Sequence, residues 1–385
     1  MPKGKTVHVN GEADKVQKVE RDELAELVVK GLNKSQVDGS RIAYFLDEEE
    51  DSSMVTDWVS TGSSLLDLAI SNRKNGGLPS GRIVSLEGLE SSGKSLICGH
   101  IIASTQKMGG YATLIDSENA VSTQFLKALG VSVKDMGYVQ LYTVEEIFSK
   151  IEETIGLVRK SNPDKLMTIV VDSLTQASCE TEMESGHGKD GYGTSKAIVI
   201  GKSLRKLTGL IARQRILLVV TNQLRMNLSA VKFGDKWIVP SGKAMAFAAS
   251  VRVRLGNTGA LKRSNRIIGN NCKAVVTKNR MGPPKRTALF EIHFDSGVQD
   301  LKSWLDFLKE NGKARKDGDK YKIKLPSDTI SVSVPEFVEK VNTDQGFKDE
   351  VYNSIAEEYI MKYRDAGIGA IDESVEVDES VTDED

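Results

Sequence analysis

Gly88-Leu89-Glu90-Ser91-Ser92-Gly93-Lys94-Ser95 is a complete GxxxxGK[ST] run, the spacing that lets a loop wrap a chain of phosphates. Gly88 and Gly93 allow the backbone to turn so that successive amides, and the N-terminus of the helix that follows, point at phosphate oxygens. Lys94 would neutralise the β- and γ-phosphates, and the Ser95 hydroxyl would join a magnesium shell. The ligand expected is ATP with Mg2+. Such a loop needs an acidic group at the end of a neighbouring strand to hold the metal through water. Thr168-Ile169-Val170-Val171-Asp172-Ser173 supplies one in the Walker-B arrangement, although an aspartate here could instead cap a following helix. Hydrolysis further needs a group that orients or deprotonates the attacking water. Glu118 in Ile115-Asp116-Ser117-Glu118 is the candidate, with Asp116 as its competitor and a plain turn carboxylate as the third reading; the spacing leaves the choice open.

Thr221-Asn222-Gln223-Leu224-Arg225 places an amide at the end of another apolar run, where Gln223 could sense the γ-phosphate and shift the loop that follows it. That loop, 226–242, carries Lys232, Phe233, Gly234, Lys236 and Trp237 before Ser241-Gly242. Basic and aromatic residues interleave there as they do on single-strand binding surfaces, and an ordinary mobile loop is the plainer alternative. Residues 180–193 form a second stretch too polar for a core, with four glycines, His187, Lys189 and Tyr192. Lys278-Asn279-Arg280 and the following Gly282-Pro283-Pro284-Lys285-Arg286 make a dense basic knot. It suits a solvated face, cations reaching a neighbour's ATP, or contacts to nucleic-acid phosphates.

The elements that must position these groups are short β-branched runs alternating with segments of helical spacing. Strands are predicted over 82–86, 111–115, 138–142, 167–171 and 216–220, each apolar enough to be covered on both faces. Val144, Ile147, Phe148, Ile151, Ile155 and Val158 recur every three or four residues, as a helix lying on a sheet requires. This rhythm predicts an α/β fold with a mainly parallel sheet and crossover helices. Further strands over 250–255, 272–277 and 287–294, joined without helical spacing, predict an antiparallel extension and hence a mixed sheet.

Around this core, residues 1–55 read as a polar arm and linker with one helical pattern at Leu24, Leu27, Val28 and Gly31. Residues 301–364 read as a small α/β C-terminal domain, with a helix over 301–310, a strand over 321–325 and a helix over 347–363. Residues 365–385 read as a disordered acidic tail, since 372–385 hold eight acidic residues and no basic one. The 52 basic and 54 acidic residues sum to a net charge of −2, so local charge matters more than the total. Cys98, Cys179 and Cys272 lie far apart without CxxC spacing, which argues against a disulfide framework or a zinc site. With no run long enough to span a bilayer and no apolar stretch behind Met1-Pro2-Lys3-Gly4-Lys5, a soluble cytoplasmic protein is expected.

Taken together, these segments resemble the RecA family of recombinases. The likeness runs in order through Ser60-Thr61-Gly62-Ser63-Ser64-Leu65-Leu66-Asp67, Gly76-Gly77-Leu78-Pro79-Ser80-Gly81-Arg82-Ile83-Val84, the 88–95 loop, Val170-Val171-Asp172-Ser173, Asn222-Gln223-Leu224-Arg225-Met226 and Ala249-Ser250-Val251-Arg252, over about 56–300. It implies a P-loop NTPase core of RecA type and a DNA-dependent ATPase. Such a protein forms a helical homo-oligomeric filament on single-stranded DNA, exchanges strands with a homologous duplex, and can work with mediator or single-strand-binding proteins. Glu118 then matches the catalytic glutamate, Phe125 an aromatic position that stacks on adenine, and Gln223 the γ-phosphate sensor. Lys278 and Arg280 match two cations that reach the adjacent subunit's ATP. Residues 180–193 and 226–242 match the DNA-facing loops, which makes Lys189, Tyr192, Arg225, Lys232, Phe233, Gly234, Lys236 and Gly242 the candidate DNA contacts. Leu89 stands where family members usually have proline, and Arg280 replaces a lysine.

A ring-forming helicase-type motor would use the same ATP site; the paired loops and the Lys278 and Arg280 cations favour the recombinase. A non-catalytic ATP-binding regulator is disfavoured because both Asp172 and Glu118 are present. The acidic tail should compete with DNA for basic surface. Removing residues 372–385 is therefore expected to strengthen duplex binding, measured at low magnesium, and unchanged affinity would refute that role.

Overall fold

In the computed structural model the described residues are 22–34, 42–43, 45, 55–184, 192–212, 214–227, 237–240 and 243–363. The chain divides into two units, Met1–Met54 and Val55–Asp385. In the first unit the pattern at Leu24, Leu27 and Val28 forms helix α1, Glu23–Lys34. These apolar side chains are exposed, while Asn33 bonds the backbone of Ile42 and Ala43.

The second unit is built on one nine-stranded sheet. In chain order its first elements are strand β1 (Trp58–Val59), helix α2 (Ser64–Ser71), β2 (Leu78–Pro79), β3 (Arg82–Gly88), α3 (Lys94–Lys107), β4 (Tyr111–Asp116), α4 (Thr123–Ala128) and β5 (Met136–Gln140). There follow α5 (Val144–Ser161), β6 (Met167–Asp172), α6 (Glu180–Glu184), α7 (Tyr192–Ala212), β7 (Ile216–Gln223), β8 (Arg225–Met226), β9 (Trp237–Ile238) and α8 (Lys243–Ala248). The chain then runs through β10 (Val251–Arg263), β11 (Arg266–Asn279), β12 (Thr287–His293), β13 (Gly297–Val298), α9 (Asp300–Glu310), β14 (Ala314–Asp317), β15 (Lys320–Lys324), β16 (Thr329–Ser333), α10 (Val334–Thr343) and α11 (Gln345–Tyr359).

The sheet order is β13-β12-β11-β10-β3-β7-β6-β4-β5. Strands β10, β3, β7, β6, β4 and β5 pair in parallel, and β10 to β13 pair antiparallel. The mixed sheet is therefore as expected, with β10 as the hinge between its two halves. Its central strands are buried on both faces because alternate side chains enter separate cores. Val84, Leu86, Val170 and Val219 pack with α2 and α3, whereas Ile83, Ile169, Leu218 and Val220 pack with α5, α7 and α8. The α5 stripe is core, and Thr143 opens that helix with a capping box to Glu146.

Several expectations shift. The strand expected over 138–142 occupies Met136–Gln140, because Met136 and Gly137 pair with β4 while Thr143 is committed to capping α5. Strand β10 leaves β3 after Leu255 and continues against β11, which β12 flanks as far as Gly269, and the two strands then run on alone over 262–268; residues 256–268 are mostly exposed, so the apolar signal that marks a strand stops early. Part of the stretch expected to be a polar loop is helical: Glu180–Glu184 is α6 and α7 begins at Tyr192, with Glu182 reaching back to the Cys179 amide. Residues 185–191 lie outside the described residues. The last helix is Gln345–Tyr359, started by an Asp344 cap, rather than 347–363. Helix α10 went unpredicted although Ser333-Val334-Pro335-Glu336 is a readable capping box, and the short, polar β14 and β16 gave no periodic signal. The C-terminal helices α9 to α11 share one continuous apolar core with α2, α3 and β12, through Trp304, Leu308, Phe337, Val351 and Ile355. No helix among the described residues is long and apolar enough to cross a membrane.

Two buried carboxylates tie α2 to its surroundings. Asp67 accepts from the Ser60 hydroxyl and from the Thr61 amide and hydroxyl at 2.5, 2.8 and 2.7 Å. Asp300 accepts from the Ser64 amide at 2.7 Å, the Ser64 hydroxyl and the Trp304 indole. Burial pushes Asp67 up to about 7 and Asp300 to about 6, in each case against the hydrogen bonds that stabilise the anion. Because both values lie above those of the unfolded chain, the native state holds more protons. The pair's contribution to stability is full below about pH 4 and is lost as pH rises through 6 to 7. Denaturant midpoints from pH 5 to 8 should thus fall less steeply in Asp67→Asn than in the parent, and parallel profiles would contradict the assignment.

Candidate nucleotide site

Strand β3 is the middle of the site. It runs between β10 and β7, and its last residue, Gly88, faces Leu255 on one side and Gln223 on the other. A Cβ on Gly88 would lie 2.3 Å from the Ser92 hydroxyl and 2.6 Å from the Leu255 carbonyl, so the loop can fold back over the strand only with glycine there. Gly93 caps α3 in the left-handed region, φ +95°, where a side chain would also meet Ile292. Ser91 takes φ +57° without being glycine, which marks the loop as held in shape by its context. Leu89, Glu90, Ser91 and Ser95 are exposed at the surface of the loop, whereas Ser92 is buried.

Lys94 folds over the loop, its ammonium donating to the Leu89 and Gly88 carbonyls at 2.7 and 3.1 Å. Burial lowers its pKa, and the charges of Asp172 and Glu118 oppose that shift, so both carboxylates face it. Ser95, Asp172, Glu118 and Phe125 line one cavity of ≈350 Å³ together with Asp116 and Cys98. A second cavity, of ≈330 Å³, is lined by residues 91–96 of the loop and by Phe125, Asn257, Asn271 and Phe294. Ser95 and Phe125 belong to both, so the two form one cleft along the loop. Phe294, just past β12 and half exposed, had no signal in the sequence beyond being an apolar residue at a strand end.

The two carboxylates at the end of β4, Asp116 in its last position and Glu118 two residues on, have different surroundings. Asp116 is 1% exposed; one oxygen accepts from the Glu118 and Asn119 amides, both at 2.9 Å, and the other from the Tyr138 hydroxyl at 2.8 Å. It is the group that folds the turn. Glu118 is exposed and accepts from the Ser173 hydroxyl at 2.8 Å, which keeps it beside Asp172. Asp172 ends β6 and accepts from Thr221 at 2.6 Å. Neither carboxylate is used as a helix cap.

An all-oxygen pair, the Ser95 hydroxyl and the Asp172 carboxylate, suits a hard cation such as magnesium. Among the described residues no group of three or more His, Cys, Asp or Glu could hold a metal. Most of the ion's ligands would then come from phosphate and water, as is usual for magnesium.

Gln223, the last residue of β7, has its amide bonded to the Thr175 hydroxyl at 3.1 Å and its side chain to Gln176 at 3.3 Å. Arg225 lies two residues beyond, exposed in β8, which pairs antiparallel with β9. The cation pair is elsewhere. Lys278 faces Arg252, which faces Ser85, three residues before Gly88 and roughly 10 Å back along the strand at about 3.3 Å per residue. Its ammonium donates to the carbonyls of Ala246 and Phe247 at 2.7 and 3.1 Å, at the end of α8. The Arg280 amide bonds Ser250, whose own amide bonds Ile83, and the Arg280 charge helps burial to depress Arg82 at the start of β3. Lys278 therefore sits level with the middle of β3 and Arg280 level with its start, both back along the strand from the chain's own P-loop. Tyr192 opens α7. Lys189, Lys232, Phe233, Gly234, Lys236 and Gly242 lie outside the described residues.

The chain matches the model of the RecA N-terminal domain over residues 25–299. That match starts at residue 25 rather than 56 and so takes in α1. The chain is 37% identical over 260 residues to Protein RecA of Allochromatium vinosum, covering 68% of this chain and 72% of that protein. Protein RecA of Thioalkalivibrio sulfidiphilus is likewise 37% identical over 260 residues, with 68% and 73% covered. That of Cereibacter sphaeroides is 36% identical over 262 residues, with 68% and 73% covered. A P-loop between β10 and β7, an acidic strand end beside it and this extent of identity agree, and the chain belongs to the RecA family.

Proposed function

We propose that this protein is a DNA-dependent ATPase of recombination and repair, which assembles as a filament on single-stranded DNA and exchanges strands with a homologous duplex. The observation that carries the reading is the convergence of Ser95, Asp172, Glu118 and Phe125 on one cavity along the P-loop, with Gln223 in register with Gly88, the residue that opens that loop. Residues 88–95 hold the phosphates of ATP, Ser95 and Asp172 hold Mg2+, and that ion draws charge from the phosphates when bound. Lys94, released from the loop carbonyls, turns to the β- and γ-phosphates. Glu118 orients the attacking water and takes its proton, and Ser173 fixes its direction. The base lies between Phe125 and Phe294, both of which line the loop-side cavity.

Gln223 senses the γ-phosphate from the end of β7 and hands the signal to the β8–β9 hairpin, the base of the 226–242 segment. Arg225 and that segment's Lys232, Phe233, Gly234, Lys236 and Gly242, with Lys189 and Tyr192 of 180–193, contact single-stranded DNA through phosphate charge and base stacking. Lys278 and Arg280, held level with the middle and the start of β3, reach the ATP of an adjoining subunit. Residues 56–300 form the ATPase core, 1–55 an arm that joins subunits, 301–364 a small C-terminal domain and 365–385 an acidic tail. The protein acts in the cytoplasm, alongside mediator or single-strand-binding proteins.

Turnover of ATP at fixed salt should rise strongly on adding single-stranded DNA; turnover indifferent to DNA would refute the recombinase reading. Glu118→Gln should retain ATP and DNA binding while its turnover falls by about two orders of magnitude, and normal hydrolysis would remove Glu118 from this role. Phe294→Ala should raise KM for ATP roughly tenfold with kcat little changed, as loss of one stacking partner does; an unaltered KM would exclude Phe294 from the base slot.

A further inference from the structure

On the α7 and α8 face of the sheet, the apolar residues Ile83, Leu218 and Val220 give way near the P-loop to buried polar ones. Ser85, Glu87 and Asn222 are all fully buried, and Thr175 is 5% exposed. They form a single chain of hydrogen bonds. The Gln223 amide donates to the Thr175 hydroxyl at 3.1 Å, and that hydroxyl donates to the Asn222 side-chain carbonyl at 3.3 Å. The Asn222 side-chain amide donates to the Ser85 hydroxyl at 3.1 Å, which donates to Glu87 at 3.0 Å. Glu87 then takes a two-pronged contact from Arg252, at 2.7 and 2.8 Å. Each hydroxyl both accepts and donates, so every link polarises the next.

The ends of this chain lie at two different positions in the sheet. One end is Gln223, opposite Gly88 in the strand register. The other is Arg252, opposite Lys278. Next to the Gln223 end, Lys196 of α7 donates to the backbone carbonyls of Thr175 and Ala177, tying the start of α7 to the same turn. A buried ion pair seldom stabilises a fold more than apolar residues of the same size would, and apolar neighbours fill the rest of this face. The polar run is therefore poorly explained by stability alone.

We propose that Thr175 and Ser85 are positioning residues of a relay that sets the Gln223 strand end against the Lys278 strand, so that occupancy of one chain's nucleotide site adjusts the bases of both DNA-facing segments and the cations offered to the next subunit. The inference rests on the functional reading above and deepens it.

The test compares Thr175→Val, Ser85→Ala, the double variant and Thr175→Ser by ATP turnover with and without single-stranded DNA, with thermal unfolding to verify folding. Each single variant should keep DNA-free turnover near the parent's and lose about fivefold in stimulation by DNA, the size of one buried hydrogen bond. The double variant should lose no more than either single, because both break the same chain. Thr175→Ser, which keeps the hydroxyl, should restore stimulation. Losses that multiply in the double variant, stimulation unchanged in the singles, or equal losses with and without DNA would each overturn the relay while leaving the ATPase reading in place. Indifference of the parent chain to DNA would overturn the reading beneath it, and the relay with it.

Discussion

The site depends on a strand that must end between two neighbours and release its backbone to a ligand. Gly88 is where this happens: it is still in register with Leu255 and Gln223, and the Leu224 amide still bonds its carbonyl. One atom more at Gly88 would collide with Ser92 and with the Leu255 carbonyl. Because that space is closed, the loop lies flat against the strand ends, Ser92 is buried and Lys94 can span back to the carbonyls at 88 and 89. A ligand phosphate would replace those carbonyls as partners of Lys94. The lysine is thus kept near its working position without leaving its charge unpartnered in a half-buried place.

The same edge explains why two carboxylates at the end of β4 behave so differently. A turn leaving a parallel strand exposes amides that need acceptors, and Asp116, nearest the strand, satisfies two of them and is buried in doing so. Glu118 is left with a hydroxyl partner and open access, the condition for a group that must exchange protons with water. Its alignment comes from Ser173, which follows Asp172, so the positions proposed to hold the metal and to activate water are fixed to one strand end.

Much of this was legible because its signals are local. The P-loop, the apolar runs of β3, β4, β6 and β7, and the α5 stripe each lie within one short segment, and each takes the expected form. What was hidden depends on strand order and register. That Glu87 and Arg252 pair, or that Asn222 bonds Ser85, follows from β3 lying between β10 and β7, a fact no spacing in the chain encodes. Phe294 is hidden for the same reason: it reaches the P-loop cleft only because β10 and β11 place β12 three strands away from β3 and curl its end towards Gly93. Asp116 and Glu118 could not be separated in the sequence because both follow a strand, and only the turn's hydrogen bonds distinguish them. The β10–β11 ribbon was truncated for a simpler reason. Exposed on both faces, it lacks the alternation by which strands are recognised.

Charge placement carries the last step. Along the cleft of a single chain, Lys94 faces the two carboxylates Asp172 and Glu118, and a nucleoside triphosphate brings more negative charge. Magnesium offsets part of it, but charge that develops on a transferring phosphoryl group is stabilised by cations aimed at it. The two cations matched to that task by resemblance, Lys278 and Arg280, lie level with the middle and the start of β3: Lys278 donates to two carbonyls of α8, and the Arg280 charge helps burial to lower the Arg82 pKa. Both side chains donate to the Phe247 carbonyl, away from the chain's own P-loop. On the proposed reading, a nucleotide held between two copies would resolve the conflict, since one copy would offer the phosphate-binding amides of its P-loop and the other the cations Lys278 and Arg280.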